Sequence, residues 1–407
     1  MQGKMIMRKT LKNLKGKARH KYAPYAFAVV AAGLIPAAYL GISELLPESY
    51  DAKENAPAEV VDVVENKFVV THLKTPEAVK AVYMSQCVVG TPSFRKKLVN
   101  LIEETELNSV VIDVKDYTGK LSFDTNHPLL KDSVSDECGA YDMKEFLGEL
   151  HEKGIYTIAR ITAFQDPYYT SIRPDLAVAK GSATSTVWKD YRGLSFIDVG
   201  ATEFWDYLVA IGEETYKVGF DELNFDYIRF PSDGDMNDIY YPFSEEFVVS
   251  DPDLGKARVV RGFFSYLSKK LRPTGAVLSA DLFGMTTTNK DDLNIGQILE
   301  YADPYFDYIA PMVYPSHYPP SFLGLENPNK NIYKVIHYSM SEGVKRLTKA
   351  SSTPSKLRPW LQDFDYGGYY GKEEVREQIQ ATYDTGLTSW MLWDPANIYT
   401  REALLSE

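Results

Sequence analysis

The sequence predicts an α/β fold, a closed (β/α)8 TIM barrel, preceded by a single N-terminal transmembrane helix. Three observations carry this. From residue 81 onward, short runs rich in β-branched and aromatic residues alternate with longer stretches of helical periodicity, the signature of a parallel sheet. Eight such strands fall in about 327 residues, within the usual size of this barrel. Ahead of them, an uncharged stretch follows a basic tail.

In chain order, residues 1–22 hold eight Lys and Arg and no acid, and read as a cytoplasmic tail. Residues 22–43 carry no charge, so a signal anchor is placed at 23–46. A cleaved signal peptide is the rival, with secretion as its consequence. The apolar run is longer than the ~7–15 residues usual for such a core, and Pro36 to Tyr39 makes a poor cleavage site. Residues 47–76, with Pro47, Pro57 and many acids, read as a stalk holding at most one short strand. Residues 77–407 form the barrel domain, placed outside the cytoplasm.

Strands are predicted at 81–88, 109–114, 156–161, 222–228, 276–282, 308–314, 358–364 and 388–393. Helices are predicted near 93–106, 142–153, 203–218, 256–271, 294–302, 330–349 and 371–385, with Thr202 as an N-cap and Gly154 and Gly219 at helix ends. A doubly wound open sheet is less well supported, because no Gly-rich phosphate loop follows the first strand.

The net charge of −12 averages two unlike regions. Beyond the basic tail, 36 Lys and Arg face 56 Asp and Glu. That excess of acid argues against nucleic acid, and against a tightly held anionic polymer unless local Lys and Arg override it. The two cysteines, Cys87 and Cys138, are too few for a disulfide framework; one bridge and two unpaired core thiols both fit.

In a barrel the chemistry sits at the C-terminal strand ends, and alternate side chains point inward. On the fourth strand Glu222, Asn224 and Asp226 share the inward parity, with Asp226 nearest the open end. Inward polar residues are costly unless bonded or used; Glu222 and Asn224 also fit a structural network with a neighbouring Lys or Arg. On the fifth strand Ser279 and Asp281 point inward. Two carboxylates on adjacent strand ends suit glycoside hydrolysis, one as acid and the other as nucleophile or base, with their repulsion keeping one protonated. Asp113 and Lys115, Arg160, Tyr314, Gln362 and Trp393 stand at other strand ends and are candidate substrate-binding or positioning groups. Lys115 and Arg160 fit structural ion pairs equally well. Aromatic residues, 13% of the chain, concentrate in the loops after these strands, as a sugar-binding groove requires. No His pair has metal-ligand spacing and no G-x-S-x-G elbow occurs, so neither metal nor cofactor is expected.

The segments VVIDVKD (110–116), ARITAF (159–164), FDELNFDYIRFP (220–231), SADLFG (279–284), YIAPMVYP (308–315), RPWLQDF (358–364) and WMLWDP (390–395) resemble a family of bacterial glycoside hydrolases distantly similar to the α-amylase and α-galactosidase barrels. The resemblance spans about residues 77–403 and implies a TIM-type barrel. It implies Asp226 as nucleophile. It departs in placing Asn224 where those relatives carry a basic residue, Asp281 where the amylase acid is Glu, and Tyr314 where the galactosidase acid stands. The function expected is a membrane-anchored glycosidase acting on an extracellular or envelope glycan, with Asp226, Asp281 and Glu222 as catalytic candidates. The alternative is a non-catalytic glycan-binding or envelope-organising protein on the same scaffold. A lyase using Lys115 is a minor third.

Overall fold

A computed structural model describes residues 69–406. The tail, the span and the stalk up to residue 68 lie outside the described residues. Among the described residues no helix is long and apolar enough to cross a membrane.

The strands are β1 (Lys80–Met84), β2 (Ser109–Lys115), β3 (Tyr156–Thr162), β4 (Ala179–Lys180), β5 (Ala183–Val187), β6 (Glu222–Asp226), β7 (Val277–Phe283), β8 (Tyr308–Met312), β9 (Trp360–Gln362) and β10 (Trp390–Trp393). The helices are α1 (Gln86–Val89), α2 (Pro92–Glu103), α3 (Met143–Glu152), α4 (Pro167–Ile172), α5 (Thr202–Val218), α6 (Glu245–Ser250), α7 (Gly255–Leu271), α8 (Leu299–Ala302), α9 (Ile332–Lys349) and α10 (Lys372–Tyr383). Eight parallel strands close in the order β1-β2-β3-β6-β7-β8-β9-β10, β10 pairing back to β1. The predicted barrel is therefore the observed one. The additional β4–β5 hairpin is antiparallel and lies in the long connection between β3 and α5.

Where boundaries differ, local chemistry explains it. The predicted strand 222–228 stops at Asp226 because Tyr227 takes a positive φ of 52°. The strand predicted at 358–364 is Trp360–Gln362, its start delayed because Pro359 has no N–H for the ladder. The helix predicted over 294–302 is only Leu299–Ala302, because Leu293, Asn294 and Gly296 all have positive φ. Helix α5 begins at Thr202 itself, with Ala201 as its cap.

Alternation builds two apolar layers. Val110, Ile112, Leu223, Phe225, Leu278 and Leu282 face the helices, while Ala81, Val111, Ile158, Ala310 and Met391 fill the barrel. Each large side chain so buried contributes about 1.5–3 kcal/mol. At the barrel's lower end, residues of the predicted stalk dock onto it: Leu73 N donates to Asp221 Oδ1 (2.6 Å), and the Thr75 hydroxyl meets that of Tyr156 (3.0 Å). Cys87 of α1 and Cys138 form a disulfide, which settles the alternative left open by the sequence.

Candidate active site

The polar inward residues converge at the upper end of β2, β3, β6 and β7. Arg160 of β3 is their centre. Its Nη1 donates to Asp113 Oδ1 (2.7 Å), while Nη2 and Nε donate to Asp226 Oδ2 (2.5 and 3.1 Å). Arg160 Nε is also 3.9 Å from Asp281 Oδ2. Strand register explains the convergence, for Asp113 pairs with Arg160, Thr162 with Asp226 and Asn224 with Ser279.

Each carboxylate is held differently. Asp113 also accepts from the Tyr83 hydroxyl (2.7 Å), so it anchors Arg160 from below. Asp226 Oδ1 accepts the backbone N–H of Tyr227 (2.6 Å). Asp281 Oδ1 accepts from Asn224 Nδ2 (2.9 Å) and from Trp360 Nε1 (2.8 Å). With Oδ1 engaged by two donors, a proton on Asp281 belongs on Oδ2, the oxygen turned toward Arg160 and Asp226.

Burial, and after it the Asp226 charge, pushes the Asp281 carboxyl well above its ordinary range; Arg160, Asn224 and Trp360 oppose this and are outweighed. Burial lifts Asp113 to about 6, against the pull of Arg160 and Tyr83. It also raises the Tyr314 phenol, with Asp281 and Asp226 adding to the effect.

Above these groups opens a cavity of about 320 Å3, lined among others by Asp226, Asp281, Arg160, Arg229, Tyr314, His317, Trp360 and Trp393. Trp393 lies 4.0 Å from the Tyr83 ring and 5.3 Å from the Arg160 guanidinium. Gly284 lets the end of β7 close against β8, since a Cβ there would stand 2.4 Å from Met312 O.

Of the predicted residues, Asp226, Asp281, Arg160, Tyr314 and Trp393 line this cavity. Asn224 sits directly beneath it on Asp281, and Asp113, expected to bind substrate, is likewise beneath it, buried against Arg160 and Tyr83. Three others need correction. Glu222 is at the N-terminal end of β6, deep in the barrel, where Arg358 Nη1 (2.8 Å) and the Tyr156 hydroxyl (3.1 Å) satisfy it. Lys115 leaves the inward parity because a register shift separates it from Asp113; it is fully buried against Asp166 (2.9 Å). Gln362 is buried below the cleft, where it accepts from the Ser316 hydroxyl (2.8 Å) and so braces the loop carrying His317.

Sequence reasoning missed Trp360, Tyr83, Arg229 and His317. Trp360 shares the inward parity of Gln362, which was signal enough. Arg229 and His317 sit on loops, where no periodicity reports direction.

A family profile described as "Putative glycosyl hydrolase domain" matches residues 81–399. The chain belongs to this family. No curated protein matches it. Among solved structures, a hypothetical protein from Ruminiclostridium thermocellum is 30% identical, covering 49% of this chain and 96% of that one, at TM-score 0.42. The glycoside hydrolase domain of PgaB (BpsB) from Bordetella bronchiseptica is 13% identical over 81% of this chain and 99% of that one, at TM-score 0.57. Alpha-L-fucosidase isoenzyme 2 from Paenibacillus thiaminolyticus is 11% identical over 80% of this chain and 48% of that one, at TM-score 0.52. At such identities the last two likenesses establish the fold alone. The domain is glycoside-hydrolase-like in family and fold.

Proposed function

We propose that the chain is a glycosidase that cleaves an extracellular or cell-envelope glycan in the cleft above Arg160. The observation that carries this is the unequal pair of carboxyl groups. Asp281 is buried, doubly bonded through Oδ1, and inclined to hold a proton on Oδ2. Asp226 is ion-paired to Arg160. Both Oδ2 atoms approach the same Arg160 Nε, at 3.1 and 3.9 Å, so they are no more than about 7 Å apart.

That bound fits direct attack and excludes most of the wider spacings that admit a water between the carboxyls. In the first step Asp281 gives its Oδ2 proton to the glycosidic oxygen, the C1–O bond breaks, and an Asp226 oxygen bonds to C1. In the second, Asp281 takes a proton from water, whose oxygen attacks C1 and releases Asp226 with net retention. Asp113 holds Arg160, and Arg160 holds Asp226, so both are positioning residues. Tyr314 and Trp393 supply ring faces for sugar. The charge and hydropathy of residues 1–46 support an outward-facing, membrane-anchored setting.

The test is hydrolysis of a glycan panel by the full chain and by its Asp226→Asn variant, with the first-formed anomer read by NMR. Cleavage with retention, abolished in a variant that melts normally, is expected. Undiminished cleavage by Asp226→Asn would overturn the assignment; binding without cleavage by the wild type would favour the non-catalytic alternative.

A further inference from the structure

We propose that Arg229 forms an acidic-sugar subsite in this cleft, a two-donor fork for the carboxylate of a uronic-acid residue in the glycan. The inference rests on the cleft being a glycan-cleaving site and names the class of substrate it takes.

Arg229 lies on the loop after β6, three residues beyond Asp226, and lines the cavity although only 7% exposed. Its guanidinium lies over the rings of Tyr227 (4.7 Å) and Phe283 (4.8 Å). Nη1 donates to Phe230 O (3.0 Å) and to the Ser232 hydroxyl (3.1 Å). Among the described residues, Nε and Nη2 donate to no protein acceptor, and no carboxylate stands at ion-pair distance from them.

The other buried arginines each have a carboxylate partner, although Arg358 too leaves Nε and Nη2 without an acceptor. Arg95 pairs with Asp142, Arg160 with Asp113 and Asp226, and Arg358 with Glu222. A buried guanidinium without a counter-charge is expensive, so its position asks for a ligand that brings one. The free Nε–Nη2 edge presents two parallel N–H groups, which match the two oxygens of a planar carboxylate. The two rings restrain the fork through cation–π contact, and aromatic surface beside it gives apolar contact for the sugar that carries the acid.

Local charge agrees. Asp226 and Asp113 share Arg160 as their ion-pair partner, and Arg229, whose positive charge offsets the remaining carboxylate only at longer range, keeps its N–H edge for a ligand. The acidic balance of the domain therefore does not govern the cleft, because clefts focus the field of the charges nearest to them.

The test is calorimetric binding to the full-length protein carrying Asp226→Asn, so that no glycan is consumed. The probes are glucuronate- and galacturonate-containing oligosaccharides, each beside the same oligosaccharide with its C6 carboxyl reduced to the alcohol, and a sulfated oligosaccharide. At least one acidic probe should bind about tenfold or more tightly than its reduced partner. That ratio should fall to about one in Arg229→Met and to an intermediate value in Arg229→Lys, which keeps the charge and loses the fork. If Arg229→Met does not fold, the drop in Arg229→Lys carries the test. Equal affinity for acidic and reduced probes, no binding to either, a ratio unchanged by the substitutions, or preference for the sulfated probe would overturn the proposal. Cleavage of a neutral glycan that depends on Asp226 but shows no acid preference would overturn this subsite alone. Acid-selective binding by a wild type that cleaves nothing would overturn the enzymatic reading and leave the subsite standing.

Discussion

Asp113 is bonded by Arg160 and Tyr83, yet its replacement by Asn should stabilise the protein at neutral pH. Burial sets its titration at about 6 in the folded chain, against an ordinary value of 3.8. Below about pH 4 it is protonated in both states, and above about pH 6 ionised in both. Between those limits the folded chain holds a proton that the unfolded chain has released, so stability falls as pH rises. The difference between 6 and 3.8 is worth about 3 kcal/mol. Asn keeps the shape and polarity of the protonated group and has nothing to ionise. Urea unfolding of wild type and Asp113→Asn, followed by tryptophan fluorescence, should give similar stabilities at pH 4. At pH 7 the variant should be more stable by about 3 kcal/mol. Activity should fall meanwhile, because Arg160 loses one of its two anchors; the site's polarity is bought with stability. A variant less stable than wild type at pH 7, or a pH-independent difference, would refute this reasoning.

Three further outcomes are expected. Lys115→Met strands the buried Asp166 carboxyl, and should lower stability by about 3–5 kcal/mol in urea unfolding. Borohydride should trap no imine at Lys115, since its amine is fully buried outside the cavity. The bridge from Cys87 to Cys138 spans 51 residues, so Cys87→Ser with Cys138→Ser should cost up to about 4 kcal/mol, read as a lower urea midpoint under oxidising conditions.

The barrel was legible because strand and helix periods alternate eight times, and because inward parity on β3, β6 and β7 marks Arg160, Asn224, Asp226 and Asp281 without any structure. Parity alone cannot give depth. Glu222 and Asp226 share it, but four residues along a strand carry a side chain from the barrel's floor to its mouth; strand direction puts Asp226 at the mouth, and the Arg358 partner that seals Glu222 below is seen only in the structure. Nor does parity survive a register shift, which removed Lys115 from the lumen. Trp360 was legible from its parity, but only the structure shows its single N–H meeting Asp281. Arg229 and His317 depend on loop geometry, fixed by contacts far apart in sequence.

The central claim is that Asp281 is the acid that protonates the leaving oxygen. Its most direct test compares Asp281→Asn with wild type on two substrates sharing one sugar, an ordinary glycan linkage and a dinitrophenyl glycoside whose leaving group needs no proton. A loss in kcat/KM of about 10²–10⁴-fold on the ordinary linkage, with a far smaller loss on the dinitrophenyl glycoside, is the result expected. An equal loss on both, or none on either, would contradict it.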